Sequence, residues 1–237
     1  MLNIIIHPSY RKMEDFVKSL PANFETCGES IYKARNEVKV IYDGDDCLVA
    51  KSFKIPHLIN KIAYSFLRPS KARRSYLNAL ELINNNVNTP VPIACIEERK
   101  CGLFARSYYI SSYIQGQSTL RDVHYCTLDQ VKELAAAFAL YTACIHHRRI
   151  LHRDYSLGNI LYEKIDGLYH FSLVDINRMR FGKEVGLRAA AFGFRKLWDN
   201  DDVALYIAGI YARERGFDEE TFKAALLKYR RRFWKKP

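Results

Sequence analysis

The sequence predicts an α+β fold in two parts: a small β-rich first lobe with one main helix, and a compact, mostly helical second lobe. Three observations carry that expectation. Short runs of β-branched and aromatic residues crowd the first half of the chain. Apolar residues at helical spacing dominate the second half. Between the two, near residues 112–116, strand chemistry gives way to helix. This divides a single domain into a first lobe at about 1–112 and a second at about 113–237.

The elements follow in order. Ile31–Ala34, Val38–Tyr42 and Cys47–Phe53 read as a three-stranded meander, the last two joined by the turn sequence DGDD at 43–46. A basic segment of helical character follows, interrupted near Pro69, and its second part, Lys71–Asn84, has apolar residues at 72, 76, 79, 80 and 83. The asparagines and prolines of NNNVNTPVP end it. Ile93–Glu98 and Leu103–Ile114 are two further strands, turning around Lys100–Gly102. In the second lobe Thr127–His147 presents one apolar face and is opened by Thr127 or Asp129 as cap. A polar loop at 152–159 and two short strands, Ile160–Glu163 and His170–Asp175, come next, with a turn at Asp166-Gly167. Helical patterns at Asn200–Arg215 and Asp218–Tyr229 close the chain, and Arg195–Asp202 has no pattern that assigns it.

Composition narrows the function. Nearly half of the 237 residues are apolar and 13% are aromatic, which excludes a disordered chain. The net charge of +11 sits in two stretches without an acidic residue, one from Lys54 to Arg74 and one from Lys228 to the end. Such patches meet anionic lipid, polyanionic sugar or nucleic acid, or form a solvated face. The six cysteines are scattered without zinc-like spacing, which fits free thiols in a reducing compartment. The first residues, MLNIIIHPSYRKMEDF, hold too short an apolar run for a signal peptide, and no stretch is long and apolar enough to span a bilayer.

The chemistry concentrates in His152-Arg153-Asp154-Tyr155-Ser156-Leu157-Gly158-Asn159 and in Asp175 at the far end of the following hairpin. Phosphoryl transfer asks for a carboxylate that takes the proton of an attacking hydroxyl, and for oxygen ligands that hold magnesium on the phosphates. An Asp with an Asn five positions later places both in one tight loop, where the second Asp can join them. Asp and Asn in a loop are ordinarily turn formers, but here they come with the hairpin, the second Asp and a long preceding helix. The same logic asks for a strand lysine for the ATP phosphates. Lys51, in Val49-Ala50-Lys51, supplies it, with Lys54 as rival. Glu81 is the only acidic residue between Cys47 and Ile96, so it is the default partner of Lys51, or else a solvated surface residue. No G-x-G-x-x-G exists; Ala34-Arg35-Asn36 holds the place of the phosphate-covering turn, where Arg35 adds charge.

From Gly28 to Phe181 the chain resembles the lipopolysaccharide core kinases of the Kdo/WaaP family. The resemblance rests on RNEVKV, VAKSFK, LRPSKARRSY, NTPVPIACIE, HRDYSLGNILY and LVDINRMRFG, in which Asp-Ile-Asn-Arg stands where protein kinases have Asp-Phe-Gly. It implies a two-lobed protein-kinase-like fold and ATP-dependent phosphorylation of a Kdo or heptose hydroxyl of the lipopolysaccharide inner core. It also implies Asp154 as catalytic base, Asn159 and Asp175 as Mg2+ ligands, and Lys51 on the ATP phosphates. The helix acid is expected one turn before Glu81, at Leu77, and Arg178 matches the family's Asp-x-x-Arg. The implied partner is a lipid A–core acceptor at the cytoplasmic face of a Gram-negative inner membrane. The basic stretches, with Tyr229-Arg-Arg-Arg-Phe-Trp, then suit peripheral association with that anionic surface. The rivals are a small-molecule or protein kinase of the same fold and a catalytically silent kinase-like module. Nucleic acid is set aside because no binding motif accompanies the charge.

Overall fold

The computed structural model describes residues 1–34, 36–53, 69–101 and 103–234, in two compact units, Met1–Gln115 and Gly116–Pro237.

The first unit is a six-stranded antiparallel sheet between two helices. Its strands are β1 (Leu2–Ile6), β2 (Glu29–Lys33), β3 (Glu37–Asp43), β4 (Asp46–Phe53), β5 (Pro92–Lys100) and β6 (Leu103–Ser112), in spatial order β1-β5-β6-β4-β3-β2. The DGDD turn closes β3 on β4 with Asp43 opposite Asp46, and Gly44 takes φ +60° at the first of the two loop positions, where a side chain would strain the backbone. Alternation along the strands gives the sheet two apolar faces. On one, Met13, Val17, Leu20 and Phe24, in and beside α1 (Glu14–Asn23), pack against Ile41, Leu48, Ala50, Ala94, Ile96 and Ile110. The other is covered by α2 (Lys71–Asn84), which buries Ala72, Ser75, Tyr76, Ala79 and Leu82. Ser70 caps α2, accepting a bond from the Arg73 amide at 3.1 Å. Lys39 of β3 is buried, with its ammonium on the carbonyls of Phe24, Glu25 and Cys27 at 2.7–3.1 Å, so it ties the end of α1 to the sheet.

The expected strands and α2 are present. β1 and α1 are additions: a five-residue apolar run followed by proline reads as too little in isolation, and it becomes a strand by pairing with β5, Leu2 opposite Glu98 through Ile6 opposite Ala94.

The second unit is built on α3 (Leu128–His147), whose first turn is closed by a capping box between Thr127 and Gln130. Strands β9 (Ile160–Ile165) and β10 (Leu168–Leu173) form the hairpin, with β7 (Ser118–Thr119) on its edge; β8 (Leu151–His152) pairs with β11 (Met179–Arg180). Helices α4 (Leu187–Phe194), α5 (Asp201–Glu214) and α6 (Glu219–Trp234) complete the unit. Phe138, Tyr155, Phe194, Trp198, Tyr211 and Phe222 fill its core. α4 falls in the stretch after Asp175 to which the sequence assigned no element, and α6 runs past Tyr229 to Trp234. All six cysteines are free, and no helix among the described residues is long and apolar enough to cross a membrane.

Candidate active site

The loop after β8 and the loop after β10 are stitched together by backbone. Met179 pairs with His152 and Arg180 with Leu151, the Arg153 amide donates to the Arg178 carbonyl at 2.9 Å, and the Val174 amide donates to the Asn159 carbonyl at 3.0 Å. His152, buried at 1% exposure, joins both loops by side chain. Its Nδ1 accepts from the Asp154 amide at 3.1 Å and its Nε2–H donates to the Val174 carbonyl at 3.2 Å. That bonding needs the neutral ring, and burial depresses the His152 pKa against the opposing pull of the Val174 carbonyl, Asp175 and Asp154.

These bonds bring Asp154, Asn159 and Asp175 into one cluster. Asn159 donates Nδ2 to the Asp154 carbonyl at 2.9 Å, which leaves its Oδ1 as the end of the carboxamide suited to a cation. Asp175 has φ +53°, a left-handed backbone that Asp tolerates better than most residues. Its Oδ1 accepts from Asn177 Nδ2 at 2.6 Å, and Asn177 is itself buried. The rest of the loop is anchorage. Tyr155 stacks on Phe138 and shares a buried 2.8 Å hydrogen bond with Thr142 on α3. At Gly158 a Cβ would lie 2.4 Å from the Arg121 guanidinium, the flexible end of a side chain, which would have to shift aside.

Asp154 Oδ1 accepts from Lys196 Nζ, a residue the sequence left unassigned. Burial pushes the Asp154 carboxyl up, but the Lys196 hydrogen bond and charge, with Arg178 and His152, outweigh it and hold the group below the usual carboxylate range. Arg178 is exposed, and its carbonyl braces the Asp154 loop through the Arg153 amide.

The donor set fits magnesium. Among the described residues no three His, Cys, Asp or Glu gather as a metal cage. Magnesium on a nucleotide needs none, since it takes one or two protein oxygens and completes its shell with phosphates and water. Asn159 and Asp175 would supply such a pair.

In the first unit Lys51 lies on β4 opposite Val38 and Tyr109, in a row that continues to Cys95. Burial lifts the Tyr109 hydroxyl, and Tyr76 of α2 and Cys95 act on it, so this row faces α2. Lys51 Nζ lies 5.4 Å from the centre of the Phe53 ring. Glu81 is not brought to it. At 100° per residue Glu81 is half a turn from Ala72, on the exposed side of α2, and its Oε1 accepts from Asn85 Nδ2 at 3.2 Å. The expected Lys51–Glu81 pair is therefore corrected: Glu81 belongs to the outer face, as does Leu77 at 46% exposure. Arg35, Lys54 and the basic segment through Arg68 lie outside the described residues.

The second basic stretch is also not simply a charged face. Arg230 is buried at 2% exposure, Tyr229 meets the edge of Phe192, and Trp234 donates Nε1 to the Arg195 carbonyl at 3.1 Å. Lys228, Arg231 and Arg232 remain exposed.

Compared with solved structures, the chain is similar to WaaP, seen in complex with acyl carrier protein, with a TM-score of 0.64 at 14% identity over 99% of this chain and 98% of that one. It is also similar to a microcompartment-associated aminopropanol kinase, with a TM-score of 0.51 at 12% identity over 92% and 86% of the two chains. The fold is thus protein-kinase-like, α+β, and its likeness to WaaP extends over 99% of this chain. No protein-family model matches the sequence, and no curated protein matches it.

Proposed function

We propose that the chain is an ATP- and Mg2+-dependent phosphotransferase that phosphorylates a sugar hydroxyl, Kdo or heptose, of the lipopolysaccharide inner core. The observation that carries the reading is the convergence of Asp154, Asn159 and Asp175 through the paired loops around His152 and Val174. The kinase-like fold and its likeness to WaaP support it.

In this reading the Asp154 carboxylate orients the acceptor hydroxyl. As that oxygen bonds to the γ-phosphorus and the bond to the ADP oxygen breaks, the hydroxyl proton passes to Asp154. The chain's cations keep Asp154 ionised. Asn159 and Asp175 would hold magnesium, which supplies neutralisation of the phosphate charge. Asn177 keeps the Asp175 carboxylate turned to one orientation. Lys51 is assigned to the α- and β-phosphates.

An acceptor at an anionic membrane surface fits the exposed rings of Phe192 and Phe233, 47% and 42% exposed, beside Arg195, Arg231 and Arg232. Binding to anionic vesicles is expected at low salt and lost at high salt; equal partition with and without vesicles at low salt removes the membrane part of the reading. The activity is tested by ATP consumption with magnesium and purified lipid A–Kdo, comparing the wild type with Asp154→Ala. Acceptor-dependent transfer is expected, falling by roughly 10²–10⁴-fold in the variant. ATP binding without transfer to that acceptor moves the substrate elsewhere, to a small molecule or protein. Absence of ATP binding leaves a silent kinase-like module.

A further inference from the structure

The stretch Arg195-Lys196-Leu197-Trp198-Asp199 has no periodic pattern, but its backbone is held at almost every residue. Arg230 of α6 donates to the carbonyls of Leu197 at 2.6 Å, Trp198 at 2.8 Å and Asp199 at 3.0 Å, and pairs with the Asp201 carboxylate at 2.6 Å. Trp234, one turn further along the same helix, holds the Arg195 carbonyl. Trp198 is fully buried and donates Nε1 to the Val123 carbonyl at 3.1 Å. Two side chains of one helix thus take up the carbonyls on both sides of Lys196. The Lys196 side chain itself takes no part in this clamp and ends on Asp154.

Building on the reading of Asp154 as the group that meets the acceptor hydroxyl, we propose that Lys196 is the positioning residue for the Asp154 carboxylate, delivered across 42 positions of sequence by a segment that α6 clamps. The loop from Tyr155 to Asn159 contains no cation of its own. A carboxylate on a loop can rotate, and its two oxygens exchange roles as it does. Lys196 fixes one of them, Oδ1, and so reserves Oδ2 for the hydroxyl; among the described residues no hydrogen bond is made to Oδ2. The two side chains keep 23% and 32% of their surface exposed, so the pair remains within reach of a substrate. An ammonium has three donors, and one on Asp154 leaves two for the oxygens of an incoming phosphoryl group. The geometry differs from an ordinary surface pair, in which two long side chains must each be ordered, because here the backbone carrying the lysine is already fixed.

The test is a double-mutant cycle on ATP turnover with magnesium and lipid A–Kdo, using wild type, K196M, D154N and the double variant, with K196R alongside. K196M is expected to lower kcat by roughly tenfold or more while KM for ATP stays within about twofold. K196R is expected to recover part of the loss, and K196M to cost nothing further once Asp154 is Asn. Thermal midpoints of all variants separate these effects from misfolding, and K196R keeps the test open should K196M unfold. Unchanged kcat in K196M, or an equal loss in the wild-type and D154N backgrounds, overturns the inference. Wild-type turnover that survives D154N overturns the phosphotransferase reading and this inference together. It is distinct from failure of the inference alone, in which D154N is inactive and K196M is as fast as the wild type.

Discussion

The loop at 152–159 and the segment at 195–199 both end on Asp154, but they are held by different kinds of contact. In the loop, apart from its cross-links to Val174 and Arg178, the side-chain bonds are short in sequence: the Asp154 amide to His152 and Asn159 to the Asp154 carbonyl. Each is fixed by residue type at a given offset, so the motif and the geometry are nearly the same statement. In the segment the side-chain contacts that hold the carbonyls of residues 195 and 197–199 are not local. Its partners Arg230 and Trp234 lie more than thirty positions away, and no offset within the segment announces them. The first kind of site is legible in a sequence and the second is not, although both bear on one carboxylate.

The comparison is broken most forcefully at Arg230. By sequence it belongs to a basic tail and resembles Arg231; in the fold it is a buried guanidinium satisfying three carbonyls and Asp201. Arg230→Met is expected to cost about 3–5 kcal/mol in urea unfolding, since it leaves those groups buried without their donor, while Arg231→Ala stays within about 0.5 kcal/mol. Equal effects from the two would return the tail to a charge patch.

A smaller effect is expected at Asn177, which orients the Asp175 carboxylate from two residues away. Asn177→Ala is expected to raise the magnesium concentration needed for half-maximal ATP turnover by roughly 10–100-fold, the usual cost of removing a group that orients a metal ligand. A magnesium titration that superposes on the wild type would show that Asp175 needs no such support. Asn177 stands within the Asp-Ile-Asn-Arg motif, and its signal was the carboxamide two positions after the acid. Its bond to Asp175 could be read from the sequence only with the turn geometry in hand. Lys196 had no signal at all.

The same division runs through the fold. Helix α3 and the β9–β10 hairpin follow from periodicity and from a capping box or turn, all local. Strand β1 does not, because its five residues become a strand only when β5 offers an edge. Helix α4 was missed for a related reason: its eight residues, Leu187–Phe194, are too few to display a period, and it is held by packing against α6.

Two histidines put the contrast on a pH axis. His152 bonds the Asp154 amide within the motif and the Val174 carbonyl 22 positions away, and His146 is buried against the Tyr211 hydroxyl at 2.7 Å, a partner 65 positions away. Burial, then Arg215, Arg180 and His147, push the His146 pKa down to about 3; burial also lowers His152. Both rings are therefore neutral in the fold and take up a proton on unfolding, near pH 6.5 in the free chain. Their stabilisation is complete above that pH and declines as pH falls, by at most about 1.4 kcal/mol per pH unit for each proton. Urea midpoints are expected to drop from pH 7 to pH 5, and a flat profile would show that neither ring is sealed from solvent. His146→Gln is expected to flatten the slope in part, leaving the share due to His152.

The smallest effect is expected at Glu81, where the sequence argument was one of elimination. Being the only acid between Cys47 and Ile96 made it the candidate partner of Lys51, but elimination says nothing about direction. Direction is set by the apolar stripe of α2, in which Ala72, Tyr76, Ala79 and Leu82 face the sheet and residues 77 and 81 fall on the opposite side. With its carboxylate exposed and touching only Asn85 among the described residues, Glu81→Gln should change stability by less than about 0.5 kcal/mol and leave ATP turnover at the wild-type rate. Lys51→Met, on the face toward α2, should by contrast impair ATP turnover. A tenfold loss in Glu81→Gln would mean that α2 turns its other side to the sheet when nucleotide binds. The stripe would then have to expose Tyr76 and Leu82, a rearrangement that hydrogen exchange along 71–84 with and without ATP would reveal.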